Sequence, residues 1–239
     1  MDLDNKTIFS FKKRAETYDK KMNWVNDDEL ILPLVSKPFG NNRTLEICAG
    51  TGIVSKMLKK NGWNVVMLDS SQEMLQRSEE KNYIIGDMHE LPFDDNSFQM
   101  VVCRQGLQYA NLEKVFQEVY RVSKKEFRIG HITKLESDKS DFWEKYFEVA
   151  SPGRKHIFSP GDLEKVAEEW HFRVKSIEVI TKQDNYLGPI MYLSNEMKKY
   201  LIDLLINTSI DFKEIYNVKI IDDIITYSNR WEFIIFEKQ

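Results

Sequence analysis

Apolar residues recur at two different spacings along the chain, and the change from one to the other marks its organisation. Residues 8–36 read as helical. Phe11, Ala15, Tyr18 and Met22 fall at three- and four-residue intervals, and "NDDELILPLV" opens a second helix. Pro33, Pro38 and "FGNN" close that region. Beyond it come compact apolar runs of strand length: "RTLEIC", "NVVML", "NYII", "FQMVVC" and "FRIGHI". Helical stretches lie among them: "TGIVSKMLKKNG", ending at Asn61-Gly62, then "SSQEMLQRSEEK" and "NLEKVFQEVYRVSKK". In the last of these, Leu112, Val115, Phe116, Val119 and Val122 share one face. Strand and helix alternating in this way predict βαβ units, a parallel sheet covered on both faces, and right-handed crossovers.

From about residue 135 the pattern loosens. "SPGDLEKVAEEW" predicts a helix with Ser159 as N-cap, Pro160 at the first helical position and Asp162 three residues after the cap. "FRVKSIEVIT" and "RWEFIIFE" alternate as strands, with a polar-aromatic helical insertion from Leu187 to about Tyr227 between them. No internal repeat or low-complexity linker divides the chain.

Composition narrows the class. A chain of 239 residues, 42% hydrophobic and 30% charged, suits one α/β domain with a real core. Lys+Arg 34 against Asp+Glu 38 gives a net charge of -4, with no basic stripe, so nucleic acid is not an expected partner. The two cysteines, Cys48 and Cys103, form neither a disulfide framework nor a metal-binding spacing. No apolar run approaches a membrane span, and "MDLDNKTIFSFKKR" contains no signal-peptide core. The expectation is a soluble cytoplasmic protein.

Candidate chemistry concentrates at strand ends. "LEICAGTG", Leu45 to Gly52, sets Glu46 inside an apolar run, and glutamate is almost never buried without a partner. In an open parallel sheet, ligands sit beyond the carboxyl ends of the strands. There Gly50 and Gly52 allow close backbone approach. Asp69 ends the next run, where a carboxylate can take both hydroxyls of a ribose, and Asp87 follows the third in "IIGDMHELPF". A dinucleotide site requires G-x-G-x-x-G and a helix N-terminus facing a pyrophosphate. "GTGIVS" has two of the three glycines, with Ser55 at the third, and Glu46 and Asp87 would repel a pyrophosphate. S-adenosylmethionine has no phosphate and presents a sulfonium and an ammonium, so acidic strand ends suit it.

Together "LEICAGTG", "VVMLDSSQEML", "GDMHELPFDDNSFQMVVCRQGLQY" and "VFQEVYRVSKK" resemble class I S-adenosylmethionine-dependent methyltransferases. Within that class they are similar to the small-molecule group that includes the quinone-ring methyltransferases. The resemblance covers roughly residues 8–133 and, more loosely, the C-terminal strand pair. It implies an α/β, Rossmann-like fold: a seven-stranded, mostly parallel sheet with helices on both faces and only the last strand, "RWEFIIF", antiparallel. Residues 1–40 would form an N-terminal helical lid, 41–133 the cofactor-binding core, and 134–239 the acceptor-side helices and final strand pair.

By the same resemblance, Glu46 lies near the methionine end of the cofactor, and Gly50 and Gly52 line it with their backbone. Asp69 binds the ribose with Ser70 beside the adenine, Asp87 accepts from the adenine amino group, and the Met88 backbone contacts the ring. Arg104 faces the methionine portion mainly through its main chain. Tyr18 points inward from a helix folded over the cofactor, or serves as core packing. Cys48 takes a cofactor-binding position that is usually glycine, and "SKKEF", Ser123 to Phe127, replaces the usual Pro-Gly-Gly turn. Cys48 and Cys103 should end neighbouring strands, as buried small hydrophobes or as a reactive thiol pair.

His131, ending the fifth apolar run, is a candidate catalytic residue, and Trp143, Tyr146 and Tyr192 are candidates for an acceptor-binding wall. No metal-ligand set stands out. The expected function is metal-independent, in-line transfer of a methyl group to a small organic acceptor. The rival readings are a protein that binds S-adenosylmethionine without catalysis, recognisable by a plugged acceptor cavity, and a nicotinamide-dependent oxidoreductase.

Overall fold

The computed structural model describes residue 15, residues 18–222 and residues 224–239. Among the described residues eight strands form one sheet: β1 (Arg43–Ile47), β2 (Asn64–Asp69), β3 (Tyr83–Ile85), β4 (Phe98–Arg104), β5 (Ser123–Thr133), β6 (Phe172–Asn185), β7 (Lys219–Ile221) and β8 (Ile224–Lys238). Seven lie in the order β3-β2-β1-β4-β5-β8-β6, and β7 pairs with β8 off that path. Strands β1 to β5 run parallel, whereas β8 is antiparallel to both β5 and β6. The order reverses between β1 and β4, which opens a crevice beyond their carboxyl ends.

The helices among the described residues are α1 (Tyr18–Lys21), α2 (Ile53–Lys60), α3 (Gln72–Arg77), α4 (Leu112–Val122), α5 (Phe142–Ala150), α6 (Asp162–Glu169), α7 (Asn195–Ile206) and α8 (Ile210–Ile215). On one face of the sheet, Phe116 and Val119 of α4 pack on Phe127 and Phe236. On the other, Leu30, Leu34 and Leu58 pack on Met100 and Trp231. A separate aromatic cluster, with Phe142, Trp143 and Tyr146 of α5 against Phe212 and Tyr216, forms a cap over one end of the sheet. Among the described residues no helix is long and apolar enough to cross a membrane.

Several local expectations are corrected. Within residues 8–36, Phe11 lies outside the described residues. "NDDELILPLV" forms two 3-10 turns, Asp28–Leu30 and Leu32–Leu34, instead of an α-helix. Asp27 caps the first by accepting from Glu29 N, and Pro33 sits at the start of the second. Helix α6 starts at Asp162, two residues later than expected, because Gly161 (φ 90°) takes the cap position. Asp162 still reaches back to accept from Ser159 N at 2.7 Å. "SKKEF" is no turn at all: β5 begins directly at Ser123 and pairs with Phe98, with an irregularity before Glu126. The insertion between the last long strands carries β7, and β8 starts at Ile224, six residues before "RWEFIIF".

Candidate active site

The crevice is built from the loop that follows β1. The strand buries Glu46, which is 3% exposed, between Met67 of β2 and Val102 of β4. Its carboxyl accepts a short hydrogen bond from Ser55 Oγ on α2. Ser55, the residue at the position of the missing third glycine, is thus the polar partner that makes the buried carboxyl tolerable. Burial raises the Glu46 carboxyl to about 7, opposed by the Ser55 hydrogen bond and by the charge of Arg104.

Chain reversal after β1 uses left-handed backbone at Cys48 (φ 55°), Gly50 (φ 54°) and Gly52 (φ 77°). Such a conformation costs a cysteine about 1–2 kcal/mol. Glycine at position 106 accommodates it, since a Cβ there would stand 2.5 Å from Cys48 Cβ. Gly52 serves packing instead of ligand approach, because its Cβ would strike Ser78 Oγ at 2.4 Å. Gly50 is the open one, and its N–H donates to Asp69 Oδ2 at 2.8 Å. Asp69 Oδ1 accepts from Ser71 N at 2.8 Å, so this carboxylate shapes both the glycine loop and the start of α3. Each oxygen retains a lone pair for a ligand hydroxyl.

Glu46, Cys48, Gly50, Asp69, Ser70, Met88 and Arg104 line one cavity of about 980 Å³, including its open mouth. Gly86 lines it beside Met88, while the Asp87 carboxylate turns to His89, accepting from its backbone N at 3.0 Å and meeting ring Nδ1 at 2.5 Å. Those contacts outweigh burial and lower the Asp87 carboxyl below its ordinary value. Cys48 approaches Met88 Sδ at 3.3 Å. Its neighbour Cys103 and burial raise the Cys48 thiol well above its ordinary value, which favours the buried-hydrophobe reading over a reactive thiolate.

Arg104 does more than offer its main chain. Its guanidinium donates to Val25 O at 2.8 Å, with longer contacts to Trp24 O and Leu30 O, and lies 5.2 Å over the Trp24 ring. The segment from α1 through the 3-10 turns is thereby held across the crevice. Thr51 Oγ1, donating to Asp19 Oδ1 at 2.7 Å, fastens it to the glycine loop. Tyr18 meets Trp24 edge-on at 6.1 Å and faces the cavity.

A second cavity of about 970 Å³ adjoins the first, and Tyr18, Trp24, Gln105, Gln108 and Tyr109 line both. Trp143 and Tyr146 belong to its wall. Two other expected residues do not. Tyr192 lies outside the lining of both cavities, on the turn that follows Pro189. His131 is buried between Phe158, at 5.4 Å, and Glu232, whose Oε2 lies 3.5 Å from Nε2. Burial and the charges of Arg230 and Arg154 drop the imidazole to about 3. The strand neighbours Ile132 and Thr133 reach the second cavity where His131 does not.

The shared wall went unread in the sequence. "RQGLQY" holds Gln105 (φ 56°) and Gly106 (φ 145°), and an Arg-Gln-Gly break straight after a strand was the available signal. Gln108 Oε1 accepts from Gly106 N at 2.7 Å, which fixes the loop. Gln105 Nε2 is buried and makes no hydrogen bond among the described residues, a donor free for a ligand. Two carboxyls, an open glycine and an unpartnered amide fit S-adenosylmethionine. They fit a pyrophosphate poorly, because the only cation lining this cavity among the described residues, Arg104, is turned to backbone carbonyls.

Residues 45–128 match a methyltransferase domain family. Demethylmenaquinone methyltransferase of Thermotoga maritima is 33% identical over 94 residues, covering 36% of this chain and 41% of that protein. Ubiquinone/menaquinone biosynthesis C-methyltransferase UbiE of Rickettsia prowazekii is 27% identical over 206 residues, 74% of this chain and 79% of that protein. The match thus spans less than half of the first relative and about four fifths of the second. A solved Bacillus halodurans protein superposes with a TM-score of 0.78 at 19% identity, covering 88% of this chain and 97% of that one. Haemonchus contortus phosphoethanolamine N-methyltransferase 2, solved with S-adenosylhomocysteine, gives a TM-score of 0.62 at 20% identity, covering 95% and 57%. At these identities the structural matches show the shared fold.

Residues 45–128 thus resemble a methyltransferase domain, set in a fold shared with solved methyltransferases. The named sequence relatives are quinone methyltransferases, the group whose motifs this chain resembles.

Proposed function

We propose that the protein methylates a small organic acceptor seated in the second cavity, with S-adenosylmethionine held in the first. The observation that carries this reading is the common wall: Tyr18, Trp24, Gln105, Gln108 and Tyr109 serve both cavities. When bound, the cofactor supplies a methyl group already activated on a sulfonium. The protein's own task is then orientation and exclusion of water, which can provide much of a rate enhancement. In this reading Glu46 receives the ammonium end, Asp69 the ribose hydroxyls, and the segment held by Arg104 and Thr51 covers both ligands. An open second cavity supports catalysis over binding alone. Its aromatic wall, with Trp143, Tyr146 and Tyr227, suits a partly apolar acceptor.

Calorimetry tests the cofactor half. S-adenosylhomocysteine should bind and NAD should not. Asp69→Ala should weaken binding at least about tenfold, since hydrogen bonds to a charged group contribute about 1.5–3 kcal/mol each. Tight NAD binding, or an unaltered affinity in the variant, would overturn the assignment.

A further inference from the structure

Among the described residues three charged side chains line the second cavity, and two are already satisfied. Lys134 Nζ donates to Ser140 O at 3.0 Å and lies 3.4 Å from Glu144. Asp184 accepts from Asn185 N at 2.8 Å and from Asn229 Nδ2 at 3.0 Å. Arg154 is different. Its Nε donates to His156 O at 2.9 Å, and its guanidinium lies 3.9 Å over the Phe147 ring, which fixes its plane. Its two Nη groups make no hydrogen bond, and no carboxylate lies within 4 Å of it, among the described residues. The other buried arginines are engaged: Arg128 with Glu126 and Leu34 O, Arg104 with backbone carbonyls.

The loop carrying Arg154 is itself well fixed. Arg154 N donates to Ser151 O at 3.0 Å, and the following Lys155 N and His156 N both donate to Gln108 O, at 2.8 and 3.1 Å. Gln108 belongs to the wall between the two cavities, so the position of Arg154 is coupled to the cofactor side. Around it stand Tyr109, Tyr146 and Tyr227, aromatic surface with polar tips and no negative charge. A guanidinium offers a planar fork of donors that matches carboxylate and phosphate oxygens. A preset, half-desolvated fork with open donors in a ligand cavity is a recognition element for an anion.

Resting on the methyl-transfer reading above, we propose that the acceptor carries an anionic group, a carboxylate or a phosphate, which Arg154 binds through its Nη groups while the acceptor's apolar part lies against Trp143 and Tyr146. Arg154 is then a specificity-determining residue that separates this protein's acceptor from a neutral quinone ring.

The test is a tryptophan-fluorescence titration of the S-adenosylhomocysteine-loaded protein with benzoate, phenyl phosphate and the neutral isostere benzamide. At least one anion should bind about tenfold or more tighter than benzamide, consistent with charge-assisted pairing, and whichever anion binds tighter identifies the group. Arg154→Gln should abolish that preference while leaving S-adenosylhomocysteine affinity unchanged. Equal binding of all three probes, binding of none, or an anion preference that survives in Arg154→Gln overturns the proposal. The wild-type comparison decides even if the variant fails to fold. Failure of the wild type to bind S-adenosylhomocysteine at all would instead overturn the methyl-transfer reading.

Discussion

At the scale of the residue, the proposed placement of the cofactor ammonium at Glu46 links binding to pH. A buried carboxyl raised to about 7 is only part ionised at neutrality. A ligand ammonium beside it favours the ionised form, so binding draws off a proton wherever the free protein still holds one. Affinity for S-adenosylhomocysteine should therefore be flat above pH 7 and fall as pH drops to 6, by up to about tenfold per unit. Calorimetry at several pH values reads this directly, and Glu46→Gln should remove the slope. Cys48 and Gly106 form a second pair whose effects are joined. Gly106→Ala drives a methyl into Cys48 Cβ and also strains a φ of 145°. In a Cys48→Gly background only the strain remains, so Gly106→Ala should cost less there, by about 1 kcal/mol or more. Equal costs in both backgrounds, measured by denaturant unfolding, would show that the two sites are independent.

At the scale of the element, polar contacts from Arg104, Thr51, Arg128 and Lys182 fasten the segment from Tyr18 to Val35, and Leu30 and Leu34 anchor its second half in the core. A ligand bound beneath a covering segment adds contacts that slow its opening. Hydrogen exchange over residues 18–35 should slow when S-adenosylhomocysteine binds, and Thr51→Val should speed it in the free protein. Unchanged exchange on ligand addition would mark the segment as fixed scaffold. This was the region least legible in sequence, because 3-10 turns share the apolar spacing of a helix and differ only in hydrogen bonds. Strands β1, β2 and β4 were legible because a parallel strand buried on both faces must be apolar throughout, which makes Glu46 conspicuous. Strand β7 was not, since "KII" is exposed and lies between helical patterns. His131 misled for a related reason. Alternation places a side chain on a face of the sheet, but only packing says whether that face meets a cavity or, as here, Phe158.

At the scale of the whole molecule, two buried groups make opposite demands on pH. His131 is lowered to about 3 by burial and by Arg230 and Arg154, so the unfolded chain binds its proton first. Its contribution to stability is lost as pH falls below about 6.5. Glu46 is raised, so its contribution is lost as pH rises from about 4.5 toward 7. Each gives a slope of up to about 1.4 kcal/mol per pH unit, with opposite sign. Between pH 4.5 and 6.5, His131→Gln should gain stability relative to the wild type on acidification, and Glu46→Gln should lose it. Urea unfolding at the two pH values measures both, and parallel curves for all three proteins would show that neither group is perturbed in the fold.

The clasp formed by Arg104 has an evolutionary consequence. It grips the covering segment by the carbonyl oxygens of Trp24, Val25 and Leu30, groups that every amino acid possesses. Apart from the Trp24 ring under its guanidinium, what it recognises is the path of the chain. On the proposed placement of donor and acceptor, residues of this segment other than Trp24 that face the second cavity can therefore mutate without loosening this attachment. New acceptors become reachable by single substitutions in the cover, and a chimera carrying another protein's cover along the same path would still be held shut.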